Sequence, residues 1–405
     1  MTAAAASTQR KGEERRALGV ACGAHALHDG YTDLIYVLLP IWQHEFGLGF
    51  TALGLMKTVF SGTLAGFQIP SGFLAERFGA PIVLALGTAL AGFGYCLAGF
   101  SSGVAALVAA LFVAGLGAST QHPLASSLIA HAFAGARSLK ALGTYNFAGD
   151  IGKMTLPAAA SLVFVVLPWR EALVLLGGIG ALAAIAIFVL IPRFAAVAAA
   201  PRKSEASAGV GSRLSQFGFP LLLSVGVIDS ATRMAFLTFL PFVLTAKGAS
   251  LPTVGLALTL VFAGGAAGKL VCAFIGARIG AVATVWLTEA VTALGIVALL
   301  PLSLEAALLL LPLVGVALNG TSSVLYGSVP DLVEPARRQR AFGIFYTGTI
   351  GAGAVSPALY GLLGDAVGVP SALVVVAAVV LLTLPITLAL RPALAAQTSV
   401  NAPAS

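Results

Sequence analysis

The chain of 405 residues is 59% hydrophobic and only 9% charged, with a formal net charge of +7 and a mean hydropathy of +1.00. A water-soluble domain carries about a quarter charged residues, so this composition excludes a soluble globular protein. Apolar runs of about 20 residues, enough to cross a hydrocarbon core of about 30 Å, recur along its length. The short alternating strands of a porin-type barrel do not occur. The expectation is an all-α polytopic membrane protein.

In chain order, residues 1–17 read as a polar, charged N-tail without the small-residue cleavage site of a secretory signal. Twelve spans are predicted, at roughly 18–42, 51–73, 81–100, 104–130, 140–166, 171–192, 217–244, 252–276, 281–301, 304–329, 341–363 and 370–390. The longest hydrophilic segment, 193–216, is Ala-, Ser- and Gly-rich and basic, as a flexible linker is. It separates a six-helix bundle at 18–192 from a second at 217–390, and residues 391–405 read as a C-tail. Cys22, Cys96 and Cys272 fall in three separate predicted helices, which implies neither a disulfide nor a zinc site.

Charge placement orients the spans. Of the 22 Lys and Arg residues, sixteen lie in the N-tail, the even-numbered loops and the C-tail, and only Arg170 and Lys247 lie in odd-numbered loops. This asymmetry predicts that both termini are cytoplasmic, in a bacterial-type inner membrane. The positive charge therefore sets orientation and does not argue for nucleic-acid binding.

The two halves match at an offset of about 200. "GFLAERFG" (72–79) aligns with "AFIGARIG" (273–280), "TALGLMKT" (51–58) with "PTVGLALT" (252–259) and "ARSLKALG" (136–143) with "ARRQRAFG" (336–343). Pro157 meets Pro357, Asp29 meets Asp229, and Asp33 meets Arg233. In duplicated bundles of this kind the substrate site lies near the midplane between the repeats, and rocking alternates access to it.

Six plus six helices, a basic linker and a "G-x-x-x-[DE]-R-x-G" turn after the second span resemble the major facilitator superfamily. Here that turn is Gly72, Glu76, Arg77 and Gly79, with Glu where Asp is usual and Ala80-Pro81 where basic residues often follow. The resemblance implies a cytoplasmic gate at these residues and at the equivalent Arg278, closing on acidic partners such as Asp331 or Glu334. "HALHD" in the first span, "STQHP" (119–123) in the fourth and "NFAGDIGKMTLP" (146–157) in the fifth are similar to the fosmidomycin-resistance branch of drug exporters.

The first span carries His25, His28, Asp29 and Asp33 at i, i+3, i+4 and i+8, an arc of about 140° at 100° per residue, with Tyr36 inside it. Nine charges lie in the interior of predicted spans, away from their ends: Asp29, Asp33, Lys57, Asp150, Lys153, Asp229, Arg233, Lys269 and Glu289. Facing lipid, they would together cost roughly 20–30 kcal/mol, so they line a cavity or pair. Asp229–Arg233 at i, i+4 and Asp150–Lys153 at i, i+3 are spaced to close within one helix, as glue or as coupling pairs. Asp29 and Asp33 have no cation in their own helix, and a carboxylate stripe beside histidines is suited to binding and releasing protons. Asp29 is the expected principal carrier, assisted by Asp33, His25 and His28, with Asp150 and Lys153 as a second coupling pair.

The stripe also permits a divalent metal as cargo, because His and carboxylate at i, i+3, i+4 converge on one face; no resident metal or cofactor is expected. "HDGYTD" (28–33) fits an acyltransferase H-x-x-x-x-D pattern without a second motif, and "GGAAGKL" (264–270) lacks the phosphate-loop spacing. An enzyme is therefore not the expectation. The family resemblance places Tyr36, Gln121, His122, Asn146, Asn319 and Tyr326 on cavity-lining helices as substrate contacts, with Asp229 and Arg233 from the second half. Lys57, Lys153, Arg233 and Lys269 suggest an anionic or zwitterionic substrate. The sequence as a whole points to proton-coupled export of a small organic compound. Organic-anion import or exchange and metal export stand as alternatives, and a monomer in the bilayer suffices.

Overall fold

A computed structural model describes residues 3–133, 136–191, 215–334 and 337–400. The expected linker at 193–216 lies almost wholly outside the described residues, and so does the end of the C-tail. The described chain is helical throughout: α1 (Ala3–Phe46), α2 (Phe50–Gly66), α3 (Gln68–Phe78), α4 (Ala80–Gly99), α5 (Val104–Ala118), α6 (Gln121–Ala132), α7 (Ala136–Val166) and α8 (Trp169–Leu190) in the first half. The second half has α9 (Ser215–Ala246), α10 (Leu251–Ile279), α11 (Ala281–Leu299), α12 (Leu304–Ser328), α13 (Arg338–Val367), α14 (Val369–Val380) and α15 (Thr383–Val400), with a 3-10 turn at Val329–Asp331.

Ten helical runs among the described residues are long and apolar enough to cross a membrane, and each coincides with a predicted span. The spans predicted at 18–42 and 51–73 are helical too, in α1 and in α2 with α3, but fall below that measure. Their sequences explain it: α1 carries the His and Asp stripe, and α2 stops after 17 residues.

Proline accounts for the breaks inside spans. A proline lacks the N–H that would bond the carbonyl four residues back and crowds that carbonyl. The interruptions at Phe67, at Ser119–Thr120 and at 381–382 fall at or beside Gly66, Ser119 and Leu381, four residues before Pro70, Pro123 and Pro385. At the second break side-chain hydroxyls take up carbonyls, Ser119 donating to Leu116 O (2.7 Å) and Thr120 to Gly117 O (3.1 Å). Pro123 thus goes with a full break just upstream of Gln121. Pro357 leaves α13 continuous, with the Ser356 hydroxyl donating to Gly353 O at 3.3 Å.

The polar N-tail is not a separate segment. It continues α1 into one 44-residue helix, because residues 3–17 are rich in Ala, Glu, Arg and Lys, good helix formers with no proline among them. Glu14, buried, receives a hydrogen bond of 2.9 Å from Arg137 at the start of α7.

The chain forms two compact units. Unit 1 comprises Met1–Leu48, Leu55–Ala198 and Ser250–Thr259; unit 2 comprises Gly49–Gly54, Ala199–Ala249 and Leu260–Ser405. Two short segments, 49–54 and 250–259, belong to the unit of the other half of the chain. In unit 1 Thr259 of α10 donates to Met154 O of α7 at 2.6 Å. In unit 2 the Asp365 carboxylate caps the start of α2, accepting from Phe50 N (2.6 Å), Thr51 N (2.9 Å) and the Thr51 hydroxyl (2.5 Å).

The repeat is visible in the cores. Ala85, Ala125, Ile129, Ala132, Ala141 and Tyr145 are buried together in unit 1, and the residues 200 positions later, Val285, Leu325, Val329, Leu332, Ala341 and Phe345, are buried together in unit 2. The tight turns repeat as well. Gly79 (φ +89°) and Gly280 (φ +84°), matched in the sequence alignment, both adopt the left-handed conformation that glycine alone enters without strain. The architecture is the expected one, an all-α bundle pair built from two related six-span repeats.

Candidate functional site

In unit 1 the stripe on α1 is buried along its whole length: His25, His28, Asp29, Asp33 and Tyr36 are between 0% and 7% exposed. α7 covers it, and glycine lets it come close. A Cβ on Gly149 would lie 2.6 Å from both Asp29 Oδ2 and His25 Cε1, and one on Gly152 would overlap the Ala26 backbone.

Asp29 is the focus of the cluster. His25 Nε2, His28 Nε2 and His122 Nε2 approach its Oδ1 at 3.4, 3.8 and 3.9 Å, and Lys153 Nζ approaches Oδ2 at 3.4 Å. Asp29, which has no cation within three turns of it in α1, therefore receives one from α7, and Lys153 reaches across helices as well as lying near Asp150 in sequence. His25 Nδ1 is 2.8 Å from Tyr145 O. That carbonyl can only accept, so Nδ1 carries a hydrogen, and the other ring nitrogen, Nε2, faces the carboxylate. His25 Nε2 and His28 Nε2 are buried without a hydrogen-bond partner among the described residues. Three imidazoles and a carboxylate arranged this way make a pocket for positive charge: a proton entering it has a carboxylate oxygen and ring nitrogens to bridge.

The rings pack as a unit. His25 stacks on Tyr145 with centroids 4.0 Å apart, and His122 stands edge-on to His25 (5.2 Å) and His28 (4.8 Å). The break before Gln121 positions His122 and Gln121 at the first turn of α6. Gln121 is buried with Nε2 unpartnered, and it lines a crevice with His28, Tyr31 and Tyr95 that has room for about one water molecule. His122 and Lys153 each keep 32% of their side chain exposed, so the cluster is reached through them. The ligand atoms of His25, Asp29 and His122 all lie within 4.8 Å of one another, a set able to hold a metal ion.

Other expected site residues are distributed around this centre. Asp33 is buried within electrostatic reach of Lys153, Lys57, Asp29 and Asp150. Asp150 is buried one turn from Asn146, and Asn146 itself is exposed. Lys57, expected to attract an anion, is sealed instead. It is 1% exposed, donates to Thr32 O at 2.8 Å and lies 4.4 Å over the Tyr36 ring, a box of carbonyl and aromatic that satisfies the ammonium locally.

In unit 2, Arg233 and Asp229 close at 3.7 Å, as their i, i+4 spacing predicts. Asn319 Nδ2 donates to Gly315 O at 3.3 Å, within its own helix, and Tyr326 packs its ring on Phe345 (centroids 5.1 Å). At the expected gate, Gly72, Glu76 and Arg77 lie on α3, Gly79 forms the turn, and Arg278 ends α10. Glu76, Arg77 and Arg278 are exposed. Among the described residues neither Arg77 nor Arg278 makes an ion pair; Arg77 lies 5.3 Å over the Phe78 ring, and Glu334 pairs with Arg337 at 3.6 Å. Sequence reasoning did not find Tyr145, whose ring and carbonyl hold His25. Its only sequence signal is its place in the repeat, opposite Phe345.

The family model described as Major Facilitator Superfamily matches residues 21–223 and 222–405. The chain is 25% identical over 367 residues to the fosmidomycin resistance protein of Escherichia coli K12, covering 89% of each. It is 32% identical over 165 residues to a probable sulfoacetate transporter of Cupriavidus necator, covering 40% of this chain and 38% of that one. Among solved structures, a bacterial homolog to the human lysosomal transporter Spinster superposes with a TM-score of 0.78 at 15% identity, over 95% of this chain and 98% of that one. The nucleoside transporter NupG gives 0.76 at 13% identity, over 93% and 99%. At such identities these structures speak for the fold alone. The family model spans both repeats, as the paired cores and turns do, and the chain belongs to the major facilitator superfamily.

Proposed function

We propose that this protein is a proton-coupled secondary transporter that exports a small organic compound by alternating access, as a monomer in a bacterial-type inner membrane with both termini cytoplasmic. The observation that carries the reading is the Asp29 carboxylate held among His25, His28, His122 and Lys153, buried yet reached through two half-exposed side chains. The Lys153–Asp29 pair balances itself without a bound proton; a proton on Asp29 takes away the carboxylate charge and frees Lys153, and its loss restores the pair. Export by antiport follows when the substrate takes the proton's place at Asp29. The resemblance to a resistance protein supports a drug-like substrate, and the sixteen-to-two distribution of basic residues supports the orientation.

A second reading is favoured by Lys153 and His122. Sulfoacetate, named for one relative, is a small organic anion, and an anion drawing Lys153 away from Asp29 would recruit a proton to that carboxylate. Proton and anion would then travel together, as import. A third is metal export through His25, Asp29 and His122, whose ligand atoms converge.

The test uses sealed inside-out vesicles with an acidic interior and a pH-sensitive dye, given phosphonate drugs, organic acids, cationic drugs and divalent metals in turn. Proton release on adding one compound class, abolished by Asp29→Asn, is expected. Proton movement in the opposite sense with organic acids marks the anion reading, and release with metals alone marks the third. Labelled substrate crossing equally well in Asp29→Asn refutes coupling at this carboxylate.

A further inference from the structure

Unit 2 carries its own buried carboxylate at the position equivalent to Asp29. Asp229 on α9 is 4% exposed, and Glu289 on α11, 1% exposed, lies within its electrostatic and hydrogen-bonding reach. Thr321 of α12 lies on the same Glu289 carboxyl, and its hydroxyl is 2.7 Å from that of Thr288. Glu289 Oε1 and Arg233 Nε are buried without a hydrogen-bond partner among the described residues.

An ionised carboxylate only accepts hydrogen bonds, so two buried carboxyl groups within reach of each other bond only by holding a proton between them. The charge balance agrees. Two carboxylates beside one guanidinium would leave a net negative charge buried in low dielectric, and one proton makes the set neutral.

Among the described residues Arg233 is the cation that acts on both carboxyl groups. Besides Arg233 on α9, the polar neighbours are Tyr326 and Thr321 on α12 and Thr349 on α13. α14 has no charged residue; the only charged residue of α15 is Arg391, exposed, and Arg338, Arg340 and Asp365 on α13 are exposed. α12 has Glu305, exposed at its first turn, and α10, packed on α12, has Lys269, half-buried, and Arg278, exposed.

We propose that Asp229 and Glu289 form a second proton-binding site, in which one proton is shared between the two carboxyl groups and Arg233 balances the remaining charge. This deepens the proton-coupled reading above: a carrier with both sites moves one proton more per cycle than Asp29 alone allows. The position of Glu289 in the repeat makes the site peculiar to the second half, since the equivalent place in the first half, Thr88 or Ala89, carries no carboxyl group.

The test needs neither substrate nor transport. Infrared spectra of the purified full-length protein in detergent, in light and heavy water at neutral pH, report the carbonyl stretch of a protonated carboxyl group. The band is expected in the wild type and in Asp29→Asn, lost in Glu289→Gln, and unchanged when sodium replaces potassium. Should Glu289→Gln not fold, Asp229→Asn must shift the band, because it replaces the partner of the Glu289 hydrogen bond. A wild type without the band, a band that survives Glu289→Gln or stands unshifted in Asp229→Asn, or a band erased by sodium each overturns the proposal. Failure of the Asp29 reading in vesicles would leave these spectra as they are.

Discussion

Gly152→Ala tests whether the closeness of α7 to α1 builds the site. The added Cβ would meet the Ala26 carbonyl carbon at 2.6 Å and its Cα at 2.7 Å. Carbon atoms rest at about 3.5–4.0 Å, so α7 has to withdraw by roughly 1 Å, because the obstruction is backbone and cannot rotate away. The same withdrawal takes Lys153 Nζ beyond ion-pair reach of Asp29, now at 3.4 Å, and Tyr145 O beyond hydrogen-bond reach of His25 Nδ1, now at 2.8 Å. Overpacking of this kind costs about 1–3 kcal/mol, against a helix-propensity gain of about 1 kcal/mol from Gly→Ala. A methyl added at Gly143, on the same helix, would have nothing within 4 Å, so Gly143→Ala keeps the gain without the clash. Thermal unfolding of the two variants in detergent should place Gly143→Ala above the wild type and Gly152→Ala below Gly143→Ala by the full clash, about 1–3 kcal/mol. Vesicle transport should fall only in Gly152→Ala. A Gly152→Ala protein as stable and as active as Gly143→Ala would refute the close-approach argument.

Gly79→Ala and Gly280→Ala, at φ +89° and +84°, should each destabilise by about 1–2 kcal/mol, the steric cost of a side chain in the left-handed region; equal melting temperatures for wild type and variants would count against the strain. The Glu14–Arg137 pair joins a buried carboxylate to an arginine whose side chain is 59% exposed. A double-mutant cycle with Glu14→Ala and Arg137→Ala should therefore return a coupling of about 0.2–1 kcal/mol that weakens with salt, and a salt-independent coupling would argue against an exposed pair.

Hydropathy made the spans legible because crossing a bilayer demands long apolar helices whatever their packing. The helix breaks were legible only in part. Pro123 marks one, but Pro40, Pro157, Pro241, Pro312 and Pro357 sit inside continuous helices, and local sequence does not say which carbonyls find other donors. The continuation of α1 through the N-tail was hidden because polarity identified the tail as lying outside the bilayer and said nothing of its conformation.

For the site, the His25-to-Asp33 stripe was conspicuous because polar groups on an apolar helix need a reason. What surrounds Asp29 was not, since Lys153 and His122 arrive from α7 and α6, more than 90 residues away in the chain. Lys57 shows the opposite error: a charge counted as available is boxed by Thr32, Tyr36 and Phe60. The site stands where the repeats diverge. Val225 and Phe345 fill with apolar packing the places that His25 and Tyr145 fill in unit 1.

The unbroken length of α1 turns a chemical event into a mechanical one. Forty-four residues at 1.5 Å each make a rod about 66 Å long, with Asp29 roughly 40 Å from its first residue. A tilt of a few degrees centred on Asp29, too small to disturb its neighbours, is magnified along the rod into a swing of several ångströms at the far end. The N-terminus of this protein is in effect the needle of a gauge whose pivot is Asp29, and a fluorophore placed there would read a tilt of α1 too small to see at the pivot itself.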